Sequence, residues 1–104
     1  MPFELHYTQE AQEQFEKLSK AKSLQKRFKS VVKALRMLAT DPKYPGLQTH
    51  KYDSIKGPDN VEVFEAYAEN NTPAAYRIFW CYYPPKEEGA ATGNITVLAI
   101  TPHP

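Results

Sequence analysis

Residues 23–40 constrain this chain more than any other stretch. Leu24, Phe28, Val31, Leu35 and Leu38 recur at i, i+4, i+7, i+11 and i+14, a spacing that lines up on one face of an α-helix and on no other regular structure. Ser23 stands where an N-cap belongs. Pro42 disfavours helical geometry in Asp41, so the helix is predicted to stop there, and Lys43-Tyr44-Pro45-Gly46 reads as a turn. A helix with one apolar stripe has to bury it against other elements, and the flanking sequence supplies them.

Upstream, Phe3, Leu5 and Tyr7 alternate with Glu4 and His6 as in a short strand with one buried face. Thr8 can cap a helix that carries Glu10 in its first turn and Ala11, Phe15 and Leu18 on its inner side. The pairs Glu13 with Lys17 and Glu16 with Lys20 support that helix, which should end near Lys20. Downstream of Gly46 the apolar period falls from about 3.6 to 2. Residues 47–55, 61–69, 74–83 and 95–100 read as strands separated by turns at 56–60 and 70–73 and by a polar loop at 84–94. The last of them is apolar on both faces, which suits a position inside the sheet. The expected fold is α+β, one domain over residues 1–104 in the order β-α-α-β-β-β-β. Its two N-terminal helices pack on one face of a small antiparallel sheet whose last four strands form a meander.

At 104 residues the chain can bury roughly two thirds of its unfolded surface, enough for a single core without disulfides or metal. No apolar run approaches the roughly 18 residues of a membrane span, and the first twenty residues are acidic and amphipathic where a secretion signal would be basic and then apolar. A cytoplasmic protein is expected. The single cysteine, Cys81, excludes an internal disulfide framework and reads as a small buried hydrophobe. Glycines at 46, 57, 89 and 93 build no phosphate loop, and no G-x-S-x-G element is present. His6, His50 and His103 lack a helical or Cys-x-x-Cys companion, so neither metal nor cofactor is expected.

Thirteen basic residues against twelve acidic ones leave a net charge of +1, but eight of the basic residues, and no acidic one, fall between positions 17 and 36. Lys22, Lys26, Lys29, Lys33 and Arg36 form a ridge about two positions, or roughly 200°, away from the apolar stripe. Such a ridge is either a solvated face or a surface for nucleic-acid phosphates or an acidic peptide. Arg77 is the only charge in Ala74-Ala75-Tyr76-Arg77-Ile78-Phe79-Trp80. An arginine inside a sheet needs a partner: Glu62 or Glu65 on the neighbouring strand, or a phosphate gripped in bidentate geometry. His103 follows the last strand and His50 opens the meander, two imidazoles able to serve as acid and base near neutral pH.

These residues, in this order, resemble the RelE/ParE superfamily of prokaryotic toxins. The resemblance rests on the opening strand, Glu10-Ala11 and Leu18, the helix ending in Leu38-Ala39-Thr40-Asp41-Pro42, His50-Lys51-Tyr52, Gly57, Tyr76-Arg77-Ile78, and Val97-Leu98-Ala99-Ile100 before His103. It implies a toxin of a type II toxin–antitoxin pair, in its RelE-like form a metal-independent endonuclease that cuts mRNA at the ribosome with the RNA's own 2′-hydroxyl as nucleophile. Arg77 then matches the arginine that stabilises charge on the scissile phosphate, His103 the general acid and His50 the general base. The basic ridge, joined by Lys51, would contact RNA phosphates, and an apolar groove beside the helices would take a helix of the cognate antitoxin. Phe64 and Glu65 fall about where some members carry lysines. The resemblance also covers ParE-like poisons of DNA gyrase, which need no acid and base, and relatives that only bind a partner.

Overall fold

The computed structural model describes residues 2–70 and 74–102. Strand β1 (Phe3–Tyr7) leads into helix α1 (Gln9–Lys20) through Thr8. The Thr8 backbone is extended and its Oγ1 accepts the Ala11 N–H at 3.0 Å, answering one of the orphan donors of the first turn. α1 closes where the Ala21 N–H donates to the Leu18 carbonyl.

The second helix, α2 (Gln25–Thr40), starts later than the Ser23 cap predicted. A short 3₁₀ turn, Lys22–Leu24, comes first, and no side chain caps α2. The reason lies in Gln25, whose amide donates to the carbonyls of Ser19 at 3.1 Å and Ala21 at 3.0 Å. It thereby satisfies the frayed end of α1 and winds the connection too tightly for Ser23 to act as a cap. α2 stops at Asp41 as Pro42 requires.

Strands β2 (His50–Lys56), β3 (Glu62–Tyr67), β4 (Tyr76–Cys81) and β5 (Gly93–Pro102) form the expected antiparallel meander, and the sheet order is β1-β5-β4-β3-β2. One expectation fails: β1 pairs with β5 in parallel, so the sheet is mixed. Three hairpin reversals leave β5 running opposite to β2. The direction of β1 beside it is then set by the two-helix crossover, which an alternation pattern does not encode.

The apolar stripe of α2 meets Ala66, Ile78, Trp80, Ile95, Val97 and Ile100 in one core. β5 runs past the end of β1, and α1 takes over the vacated edge. The Thr8 N–H donates to the Val97 carbonyl, Thr8 Oγ1 donates to the Leu98 carbonyl at 2.9 Å, and Gln14 Oε1 accepts the Ile100 N–H at 2.7 Å. The N-cap residue and one side chain of α1 thus complete the strand's hydrogen bonding.

On the other face of β4, Cys81 is fully buried against the 57–61 turn. A methyl group on Gly57 would stand 2.9 Å from Val61 and 3.1 Å from the Cys81 sulfur. Burial pushes the Cys81 thiol up. Among the described residues no helix is long and apolar enough to cross a membrane.

Replacing Gln14 by Ala strands the Ile100 N–H and is expected to lower stability by about 1–3 kcal/mol. Gln14→Glu, which keeps the acceptor, is expected to retain most of it; urea midpoints at constant slope measure both. Because the folded thiol holds its proton more tightly than the unfolded one, the Cys81 contribution is complete below about pH 8.5 and is lost as pH climbs through the raised folded value. Native protein is accordingly expected to react with a disulfide reagent at pH 8 far more slowly than protein in denaturant, and fast native labelling would contradict the burial.

Candidate functional site

Residues directly opposite one another in a sheet share a face. His50 lies opposite Glu65, Glu65 opposite Phe79 and Phe79 opposite Ala99; Tyr67 lies opposite Arg77 and Arg77 opposite Thr101. All seven stand on the face turned away from the helices, since Ala66, Ile78 and Trp80 point into the helix-covered core. Of the three candidate catalytic residues, the structure therefore brings His50 and Arg77 to one surface, while His103 lies outside the described residues.

The residue that joins them is Glu65, 1% exposed. Its Oε1 is 2.7 Å from His50 Nε2 and its Oε2 is 4.0 Å from Arg77 Nε. Of the two acids that could have answered Arg77, Glu65 is the one that does; Glu62 pairs with Lys51 at 3.4 Å on the exposed edge. A carboxylate so buried is costly unless charge and hydrogen bonds compensate it.

His50 is held from both ends. Its Nδ1 is 3.0 Å from the Gln48 carbonyl while Nε2 faces the carboxylate. A carbonyl only accepts, so Nδ1 carries a proton, and the 2.7 Å contact to Glu65 is a hydrogen bond only if a second proton lies between Nε2 and Oε1. His50 and Glu65 act as one proton-sharing pair, and neither ring nitrogen is free for a substrate as the side chain stands. Gln48 presents its carbonyl from a left-handed backbone (φ 47°, ψ 40°), a conformation costing a side-chain-bearing residue about 1–2 kcal/mol. Its amide is pinned to Asn70 Oδ1 at 2.8 Å.

Arg77 is also enclosed. Nη1 donates to the carbonyls of Glu69 at 3.2 Å and Tyr76 at 3.4 Å, Nε is buried without a hydrogen-bond acceptor, and the side chain is 11% exposed. The Tyr67 ring lies over the guanidinium, 3.7 Å from Cζ to the centroid, and meets the His50 ring edge-on at 5.8 Å. The Tyr67 ring covers one face of the guanidinium, and Nη1 is taken up by two carbonyls.

Lys22, Lys26, Lys29, Lys33 and Arg36 are all exposed, but Lys22 belongs to the 3₁₀ turn and the other four to the outer side of α2, across the sheet from Glu65. Ser30, Lys33 and Met37 of α2 line a groove of about 250 Å³ together with Tyr67 and Asn70. Among the described residues no three His, Cys, Asp or Glu side chains gather as a metal site would need.

Glu65, Tyr67 and Gln48 were not singled out as site residues from sequence. Glu65 carried one signal, an acid inside a run of strand formers; Tyr67 and Gln48 carried none, because their roles depend on register. Compared with known proteins, the chain matches no family model and no curated protein.

If Glu65 is the hub, Glu65→Ala, which leaves the Arg77 guanidinium buried without its counter-charge, is expected to cost about 3–5 kcal/mol. His50→Ala, which leaves Arg77 in place, is expected to cost about 1–2 kcal/mol. Denaturant unfolding of the two variants measures the order, and a reversed order would move the hub elsewhere.

Proposed function

We propose that the chain is a RelE-like toxin of a type II toxin–antitoxin pair, an endonuclease that cuts mRNA at the ribosome in the cytoplasm without a metal. The observation that carries this reading is the run of contacts from His50 through Glu65 to Arg77 on the sheet face that no helix covers. Two helices over a five-stranded sheet in the order β-α-α-β-β-β-β support it at the level of fold. In the proposed reaction the RNA draws His50 away from Glu65, the shared proton stays on the carboxyl, and the freed Nε2 takes the proton from the 2′-hydroxyl as it attacks the adjacent phosphorus. Arg77, freed from beneath Tyr67, neutralises the charge that builds on the phosphoryl oxygens, and His103, two residues beyond the cross-strand partner of Arg77, protonates the departing 5′-oxygen. The ridge of Lys22, Lys26, Lys29, Lys33 and Arg36, with Lys51, holds RNA phosphates. The antitoxin helix lies in the apolar groove of about 190 Å³ formed by Leu5, Tyr7, Phe15, Val32, Leu35 and Ala39.

A second reading has its own support. The guanidinium of Arg77 is mostly buried and Nη1 is spent on two carbonyls, as in a residue that only holds strands together. The chain would then act by binding alone, as a ParE-like gyrase poison or as a non-toxic partner-binding protein.

Induced expression with mapping of mRNA ends separates the two. Nuclease action predicts new ends within minutes, reduced about 10²- to 10³-fold in rate by Arg77→Lys and about 10²-fold or more by His103→Ala, with circular dichroism confirming that both variants fold. Growth arrest with intact mRNA, equal in wild type and both variants, assigns the chain to binding.

A further inference from the structure

α2 ends at Thr40, short of the sheet's far edge, and leaves part of the helix-side face uncovered. A hollow of about 400 Å³ opens there, lined by Pro42, Lys43, Tyr44, Gln48, Phe64, Trp80 and Tyr82 among others, within the size range of small-molecule sites, ~300–1,000 Å³. Its rings pack on one another, Phe64 on Trp80 at 4.8 Å and 27° and Tyr82 edge-on to Trp80 at 4.9 Å. Trp80, 1% exposed, is deeply set among them, while Tyr44 and Tyr82, each about 40% exposed, form the rim.

We infer that this hollow is a nucleotide subsite for single-stranded RNA, taking one base among the rings and its phosphate on Lys43. Lys43 has no ion-pair partner among the described residues and lines the hollow; Lys51, on the same face opposite Phe64, is already paired with Glu62. Asp41 stands close to both Lys43 and Tyr82, its Oδ1 accepting the Lys43 backbone N–H at 3.0 Å while burial, and then its charge, push the Tyr82 hydroxyl up. Proline-rich peptides lie across continuous exposed ridges of rings, whereas here only Tyr44 and Tyr82 are open, on the rim of a hollow floored by Phe64 and the buried Trp80. Gln48 lines the hollow on the helix side of the sheet, and its carbonyl holds Nδ1 of His50 on the other side, so the two sites meet at the start of β2. The inference rests on the RNA-cleaving reading for the source of the nucleotide.

Trp80 is the only tryptophan, so its fluorescence reports the hollow directly. A 2′-O-methyl hexa-adenylate, which has no free 2′-hydroxyl to attack, is expected to quench it saturably and to bind more tightly than adenosine monophosphate, with ribose 5-phosphate inert. Tyr44→Ala, at an exposed rim position outside the proposed catalytic set, is expected to weaken binding about tenfold, and Lys43→Ala to weaken it severalfold and flatten its salt dependence. Absence of saturable quenching, equal binding by both variants, tighter binding of the mononucleotide, or quenching by a proline-rich peptide alone would overturn the subsite. Cleavage by the same preparations keeps the two claims apart. Cutting that needs His103 without any quenching removes the subsite and leaves the nuclease, whereas quenching without cutting removes the nuclease and leaves a nucleotide-binding protein.

Discussion

A carboxylate carried out of water must be compensated from more than one side, and Glu65 imposes that demand inside the sheet. The answer comes from both neighbouring strands, an imidazole from β2 and a guanidinium from β4. The consequence is architectural as well as chemical. β2 is paired with β3 only at His50, Lys51 and Lys56, with the ladder interrupted between Lys51 and Lys56. The short contact from His50 to Glu65 therefore fastens the start of an edge strand that has few ladder bonds of its own.

The same contacts limit what the open face can do at rest. His50 has acceptors at both nitrogens, and Arg77 is stacked under Tyr67. Tyr67 also lines the groove that Lys33 borders.

Much of the architecture was legible because it follows from local periodicity. The apolar stripe of the second helix, the Thr8 cap, the stop at Asp41 and four later strands appear in the expected order, though the first of those strands begins only at His50, after a 3₁₀ turn at Pro45–Leu47, and the last extends from Gly93 to Pro102. The failures are of two kinds. Ser23 falls inside a 3₁₀ turn bridged by the Gln25 amide, a local competitor that the cap pattern does not weigh, and β1 took a parallel partner because a crossover of two helices, rather than a hairpin, delivered it. In the site, His50 and Arg77 stood out because their side chains are unusual in strands. Gln48 and Tyr67 did not, since a glutamine carbonyl and one tyrosine among seven acquire meaning only from what lies opposite them.

Sequence alone determined which segments are helices and strands, which faces are apolar, and that Arg77 required a partner, because each of these depends on neighbours within a few residues or on the cost of burying one charge. Tertiary structure alone decided that the partner is Glu65, that His50 shares it, that Tyr67 covers the guanidinium, and that the basic ridge lies across the sheet from them. Those outcomes depend on strand register and on the side of the sheet the helices occupy, and a one-residue slip would send every side chain of a strand to the opposite face.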